Sequence, residues 1–440
     1  MKQLTLETGE ARPVAQRVID SPLNLIESTF QGKLKEPVHR WYRMTYSYSP
    51  VLVRGLFKQL KVEPGVSRVL DPFAGTGTTL IEARRAGVQS LGIEINPFFG
   101  LVARSCLTWS EDPIYVRSSF DHFLRAVSAL RTELRGMTRA KVEQQGIEIP
   151  KIHNVDRWWR WDVLRDLLAA RRVLDEYQAD SGLRRLIWVG LASILYDAAN
   201  TKWLHPTPTF VDRTNEKIDV MELLTSKLGQ ISHDLELMRR EGWPTTADAE
   251  VVIGDSTHLD RGFAGSFTHV VTSPPYPNRI SYVWWTRPHL YFFRLIADPS
   301  EATHLDILAP GGTWGKATSD LASHDYQPRS RIAHNRLLPI CEEIRSRSGP
   351  SSRILANYVM KYFDLMTSHL SGLVHLLDTG ARIAYVVGDS RINGVPVHTE
   401  SILEDILADI GYADPTIVRF RKRIGRRDIF ESVLTASAPR

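Results

Sequence analysis

Cysteine is nearly absent: Cys106 and Cys341 are the chain's only two, far apart and outside any CxxC or Cys/His grouping. That excludes a disulfide framework and a cysteine-built zinc site, so both read as small buried apolar residues and no metal is expected. Long apolar runs are missing too. No stretch approaches the roughly 18 apolar residues of a membrane span, and the opening MKQLTLETGEARPVAQRVID lacks the apolar core of a signal peptide. A cytoplasmic protein with no membrane partner is expected. Neither sign of charge dominates: 55 Lys+Arg stand against 50 Asp+Glu, a net +5 that permits a polyanionic partner without demanding one. Internal repeats and low-complexity tracts are also absent. With 43% hydrophobic and 24% charged residues, the chain has the balance of a protein that buries a large core, and 440 residues allow two or three structural units.

What is present alternates between strand-like and helix-like runs. Arg68-Val-Leu-Asp71 ends in a Gly-rich turn, a helical run follows through residue 86, and Val88 to Glu94 then reads as a second strand stopped by Asn96-Pro97. This is a βαβ unit. Further strands are predicted at 250–254, 269–272 and 382–388, with a helix over 400–410 and a closing hairpin formed by 416–420 and 430–435. Seven strands with intervening helices predict a doubly wound α/β sheet. Its core is expected from residues 1–104, 246–298 and 355–440. Residues 105–245 are helical in pattern and too long for a loop, which predicts an inserted helical subdomain. Residues 299–354, with Pro310-Gly-Gly312 and Ser348-Gly-Pro-Ser-Ser352, are expected to form a second, irregular insertion.

Two loops carry the chemistry. The turn Asp71-Pro-Phe73-Ala-Gly75-Thr76-Gly77-Thr-Thr79 joins strand to helix, where glycines let a ligand approach the main chain. A tight βα turn alone would look similar. The neighbouring strand ends narrow the choice: Glu94 is placed to accept hydrogen bonds from ribose hydroxyls, and Asp255 to meet an adenine amino group. No lysine follows Gly77, so this is not the triphosphate cradle of GxxxxGK[ST] loops, and a nucleoside-type cofactor is favoured. The second loop is Val271-Thr-Ser273-Pro274-Pro275-Tyr276. Its paired prolines fix the backbone and remove two N–H donors, turning the Ser273 and Pro274 carbonyls toward a pocket in which Tyr276 offers a stacking face. Acceptors there would suit an exocyclic amine, whose lone pair becomes available once its N–H groups are held.

DPFAGTGTT with the downstream GIEINP resembles the S-adenosyl-L-methionine motif of amino-group DNA methyltransferases. The resemblance implies a Rossmann-like methyltransferase sheet with the cofactor held by Asp71, Phe73, Gly75, Thr76, Gly77, Glu94, Asn96 and Asp255. Tyr46-Ser-Tyr-Ser-Pro50 is similar to the element that packs over the methionine end of the cofactor in that family, although an ordinary capped helix start reads the same way. Thr272-Ser-Pro-Pro-Tyr276 resembles the catalytic motif of its N4-cytosine branch, with Ser273, Pro274, Pro275 and Tyr276 as catalytic residues and the target base flipped out of DNA. Asp or Asn more often stands at Ser273 in N6-adenine enzymes. The implied function is N4-cytosine methylation in a restriction-modification or defence system, with a cognate endonuclease or defence subunit as partner. The alternatives are N6-adenine methylation of DNA or RNA, and an inactive nucleic-acid-binding subunit. C5 methylation is disfavoured because it needs a thiolate, and neither cysteine lies near the Pro-Pro motif.

For DNA contacts, Asn278, Arg279 and Tyr282 extend from the catalytic loop, and Arg421 and Arg423, with Arg419, Lys422, Arg426 and Arg427, cluster at the final hairpin. Arg157-Trp-Trp-Arg-Trp161 combines basic and aromatic residues, but tryptophans at this spacing more often belong to a core.

Overall fold

The computed structural model describes residues 30–178, 181–203, 208–259, 266–312, 316–323, 329–349, 351–422 and 429–439. The β-branched runs form one seven-stranded sheet: β1 (Arg68–Asp71), β2 (Gln89–Glu94), β3 (Ala249–Ile253), β4 (Phe267–Thr272), β5 (Leu377–Gly388), β6 (Ala413–Lys422) and β7 (Phe430–Ser437). Their order is β6-β7-β5-β4-β1-β2-β3, with β7 antiparallel to both neighbours and the remaining pairings parallel. This is the doubly wound seven-stranded sheet expected from the sequence. The order reverses between β1 and β4, the position where open α/β sheets bind ligands beyond their carboxyl ends.

Helices cover both faces: α1 (Pro50–Leu60), α2 (Thr78–Arg85), α3 (Pro97–Cys106), α4 (Pro113–Glu133), α5 (Trp161–Glu176), α6 (Ser181–Ile194), α7 (Val220–Arg240), α8 (Tyr282–Phe292), α9 (Pro299–Leu308), α10 (Arg331–Ser346), α11 (Ser352–Leu373) and α12 (Thr399–Ile410). Several starts are written locally, as Ser49, Asn96 and Asp112 each accept an N–H in front of a helix that opens with proline. Strand residues alternate between the faces. Val69, Val271, Ala384 and Val386 pack with Leu52, Val53 and Leu56 of α1. Leu70, Val270, Ile383 and Tyr385 pack with Met366, Leu370 and Leu403 of α11 and α12.

Residues 105–245 supply α4 to α7, and their apolar stripes do not form a separate core. Leu164, Leu167, Leu186 and Leu224 belong to one apolar cluster with Phe98 and Val102 of α3 and Trp285 and Phe292 of α8. Trp158 and Trp159 are buried in this cluster, as the core reading of that tryptophan run expects. The second insertion is more regular than expected. Leu337, Cys341 and Ile344 give α10 a buried helical face, while Pro339 stays on its exposed side. Among the described residues, no helix is long and apolar enough to cross a membrane.

Candidate active site

The carboxyl ends of β1 to β4 meet at a cleft lined among others by Phe73, Gly75, Thr76, Glu94, Asp255, Ser273, Pro275 and Tyr282. The two loops singled out in the sequence share it because β1 and β4 are neighbours, with Leu70 opposite Val270. A buried hydrogen bond of 2.6 Å from Thr272 Oγ1 to Asp71 Oδ1 ties them together.

The acids of the first loop do different work. Asp71 is fully buried, accepts the Phe73 N–H at 3.1 Å as well as the Thr272 hydroxyl, and is pushed up to about 6 by burial. It does not line the cleft; it organises the loop. Gly77 also stays off the cleft. Its φ of 82° is left-handed, and a Cβ there would come within 3.0 Å of the Ala103 Cβ, so only glycine lets α2 start this close to α3. Glu94 faces the cleft and accepts the N–H groups of Gly75 and Asn96, both at 2.8 Å. Burial pushes its carboxyl up to about 7. Asn96 caps α3 through Phe98 N–H at 3.1 Å and donates to Thr286 Oγ1 on α8 at 2.9 Å, so its side chain is engaged by the protein. Asp255 accepts Thr257 N–H at 2.8 Å and lies 2.7 Å from His258 Nδ1. The Phe73 ring meets His369 edge-on at 4.7 Å.

In the second loop, Ser273 and Pro275 open onto the cleft, whereas the Tyr276 ring lies against Gly388 at the end of β5, where an added Cβ would sit 2.5 Å from it. The tyrosine's ionisation is pushed well up by burial, with Glu431 adding to the shift and Ser273 and Arg421 opposing it. Two residues that sequence reasoning missed hold this loop from α11. Tyr362 donates its hydroxyl to the Pro275 carbonyl at 2.8 Å, and the Tyr358 hydroxyl accepts the Arg279 N–H at 3.1 Å. They sit one turn apart on a buried helix, and nothing in the sequence separates them from core aromatics. Arg279 itself has φ 63° and an exposed side chain. Asn278 is half-buried, with its N–H on the Tyr276 carbonyl at 2.7 Å. Tyr282 packs edge-on against Tyr46 at 6.1 Å, which brings the upstream tyrosine element to the cleft, while Ser49 caps α1.

Of the phosphate-binding strip expected at the final hairpin, the described arginines Arg419 and Arg421 are ion-paired within the protein. Arg421 pairs with Glu431, its partner across β6 and β7, and Arg419 pairs with Glu400 at 2.8 Å. Arg423, Arg426 and Arg427 lie outside the described residues. A further missed residue is Lys33, 2% exposed, whose ammonium donates to Thr76 Oγ1 at 2.9 Å, Thr78 Oγ1 at 3.0 Å and Ser47 Oγ at 3.2 Å. No motif surrounds it in the sequence. Away from the cleft, Glu36, His39 and Glu82, and likewise Asp389, His398 and Glu400, gather within reach of a shared cation. Both groups are ion-paired internally and to Arg54 or Arg419.

The sheet thus brings the Gly-turn after β1 and the Ser273–Pro275 segment after β4 to one cleft. The DNA methylase family model for N6 and N4 enzymes matches residues 64–103, which span β1 to α3. Type II methyltransferase M.AvaI of Nostoc sp. is 38% identical over 419 residues, covering 87% of this chain and 81% of that protein. M.BsoBI of Geobacillus stearothermophilus is 22% identical over 438 residues, covering 90% and 83%. M.MvaI of Kocuria varians is 22% identical over 321 residues, covering 68% of each. The chain belongs to this family of DNA methyltransferases, and its methyl donor is S-adenosylmethionine. The cleft fits that donor in its chemistry, since it offers hydroxyls backed by a buried cation at one wall and the carboxylates of Glu94 and Asp255 at the others.

Proposed function

We propose that this protein methylates N4 of cytosine in DNA, as the modification enzyme of a restriction-modification or defence system in the cytoplasm. The observation that carries the reading is Ser273, which directly follows β4, opens onto the cleft shared with Gly75 and Glu94, and is held by a Pro-Pro backbone. An amino group conjugated with a base is a weak nucleophile. In this reading the Ser273 hydroxyl and the Pro274 carbonyl accept its two hydrogens and leave the nitrogen lone pair available, while the Pro275 carbonyl is already taken by Tyr362. S-adenosylmethionine, when bound, supplies a methyl group activated by its positive sulfur. Glu94 would receive the ribose hydroxyls and Asp255 the adenine amino group, with Phe73, Gly75 and Thr76 as walls and Asp71, Gly77 and Asn96 shaping them. The amine's proton leaves after transfer, so positioning supplies most of the rate and no strong base is required. A base in duplex DNA must leave the stack to reach Ser273, and in this reading Asn278, Arg279 and Tyr282 would hold it. Serine in place of Asp or Asn supports cytosine, and the Type II relatives support a modification role.

The test is mass spectrometry of nucleosides after incubation with DNA and labelled donor. N4-methylcytosine is expected. N6-methyladenine alone, or methylation of RNA only, would overturn the target, and donor binding without any methylated nucleoside would make the chain an inactive subunit. Pro274→Ala should lower turnover far more than donor affinity.

A further inference from the structure

Lys33 ends the short helix Phe30–Lys33 and is buried against the start of α2. Its ammonium hydrogen bonds all go to neutral hydroxyls: Ser47, Thr76 and Thr78. No carboxylate pairs with it among the described residues. The groups facing it are Cys106 on α3, whose thiol burial pushes up to about 12, and His39, which is itself bonded to Glu82. A buried charge without a counter-charge costs several kcal/mol, and burial pulls this amine down to about 8. Ser47, Thr76 and Thr78 all line the cleft. Ser47 spends its own proton on the Met44 carbonyl at 3.0 Å. Thr76 and Thr78, which receive the ammonium's hydrogens, each keep a hydroxyl proton to donate, and they flank Gly77 at the start of α2, where the helix dipole is positive.

We propose that Lys33, acting through the hydroxyls of Thr76 and Thr78, is the cationic pole that receives the carboxylate of the cofactor's methionine moiety and fixes which end of the cofactor enters which end of the cleft. That carboxylate is the cofactor's only anion. The α-amino group shares its carbon with that carboxylate and the sulfonium lies further along the same chain, so the carboxylate is the one group of the cofactor that Lys33 attracts. The inference rests on the methyl donor and is independent of the target base.

The experiment compares calorimetric binding of S-adenosylhomocysteine, which keeps the carboxylate, with 5′-methylthioadenosine, which lacks the amino-acid moiety. Lys33→Met should weaken S-adenosylhomocysteine by roughly tenfold to a hundredfold, the range of a charge-assisted hydrogen bond, and leave methylthioadenosine within about twofold. The Thr76→Val/Thr78→Val pair keeps the charge and removes the relay, so it should show the same selectivity and covers the case in which Lys33→Met does not fold. Equal losses for both ligands, or no loss for either, overturn the inference. If the native protein binds neither ligand, it is the cofactor site itself that fails.

Discussion

At Glu94 and Lys33, burial has moved two ionisations toward neutrality from opposite directions. Glu94 rises to about 7 and Lys33 falls to about 8. Acceptance of ribose hydroxyls needs Glu94 ionised, so affinity for S-adenosylhomocysteine should fall as pH drops below about 7. Reception of the carboxylate needs Lys33 protonated, so affinity should also fall as pH rises past about 8. A titration of Kd against pH should therefore be bell-shaped, losing its acid limb in Glu94→Gln and its alkaline limb in Lys33→Met. The alkaline limb is read as the difference between native and Lys33→Met protein. Gly388 makes a second prediction at this scale. Its replacement by alanine puts a methyl into the Tyr276 ring, and overpacking of this kind costs about 1–3 kcal/mol. Single-turnover methylation should slow by roughly tenfold while S-adenosylhomocysteine affinity stays unchanged; a matching loss of affinity would mean that the ring does not act on the target side.

At the level of elements, α11 holds the loop that begins at Ser273. Tyr358 and Tyr362 hold its backbone, and Lys361 between them donates to the Ile307 carbonyl at 2.6 Å, fastening the end of α9 beside the same loop. Tyr362→Phe removes one hydrogen bond worth about 1 kcal/mol and should slow methyl transfer by about fivefold without changing donor affinity. Equal retention of both rate and affinity would show that the loop holds its shape unaided. This arrangement was not legible in the sequence, and the reason is physical: an aromatic pair at i, i+4 on an apolar helix looks the same whether its hydroxyls are satisfied by a helix, a loop or water. The strands were legible, because β-branched runs bounded by glycine and proline state both their length and their ends. So was the meeting of Glu94, Asp255 and Ser273, since parallel strands deliver their carboxyl ends to one rim. The ion pair of Arg421 was not legible for a reason of register: Arg421 stands opposite Glu431 only once β6 and β7 are paired. In the second insertion, flanking Gly and Pro residues masked the apolar stripe of α10.

For the whole molecule, the decisive feature is that the inserted helices bury their stripes against α3 and α8 rather than against one another alone. Leu167 is fully buried in that shared cluster, and Leu167→Ala should cost about 2–5 kcal/mol. The loss should appear in one transition, with tryptophan fluorescence and S-adenosylhomocysteine binding lost at the same denaturant concentration; two separated midpoints would mean that the insertion folds as an independent unit. The insertion nevertheless leaves and rejoins the sheet through a narrow neck. Trp109 Nε1 donates to the Pro244 carbonyl at 2.9 Å, and the Trp109 and Trp243 rings meet edge-on at 5.9 Å. This neck lies just past the carboxyl end of α3, the helix that Asn96 starts at the cleft. Joined there by two strands of chain, the helical module is a guest with a single doorway. A foreign module spliced at that doorway would fold there only if it brought a buried face matching α3 and α8.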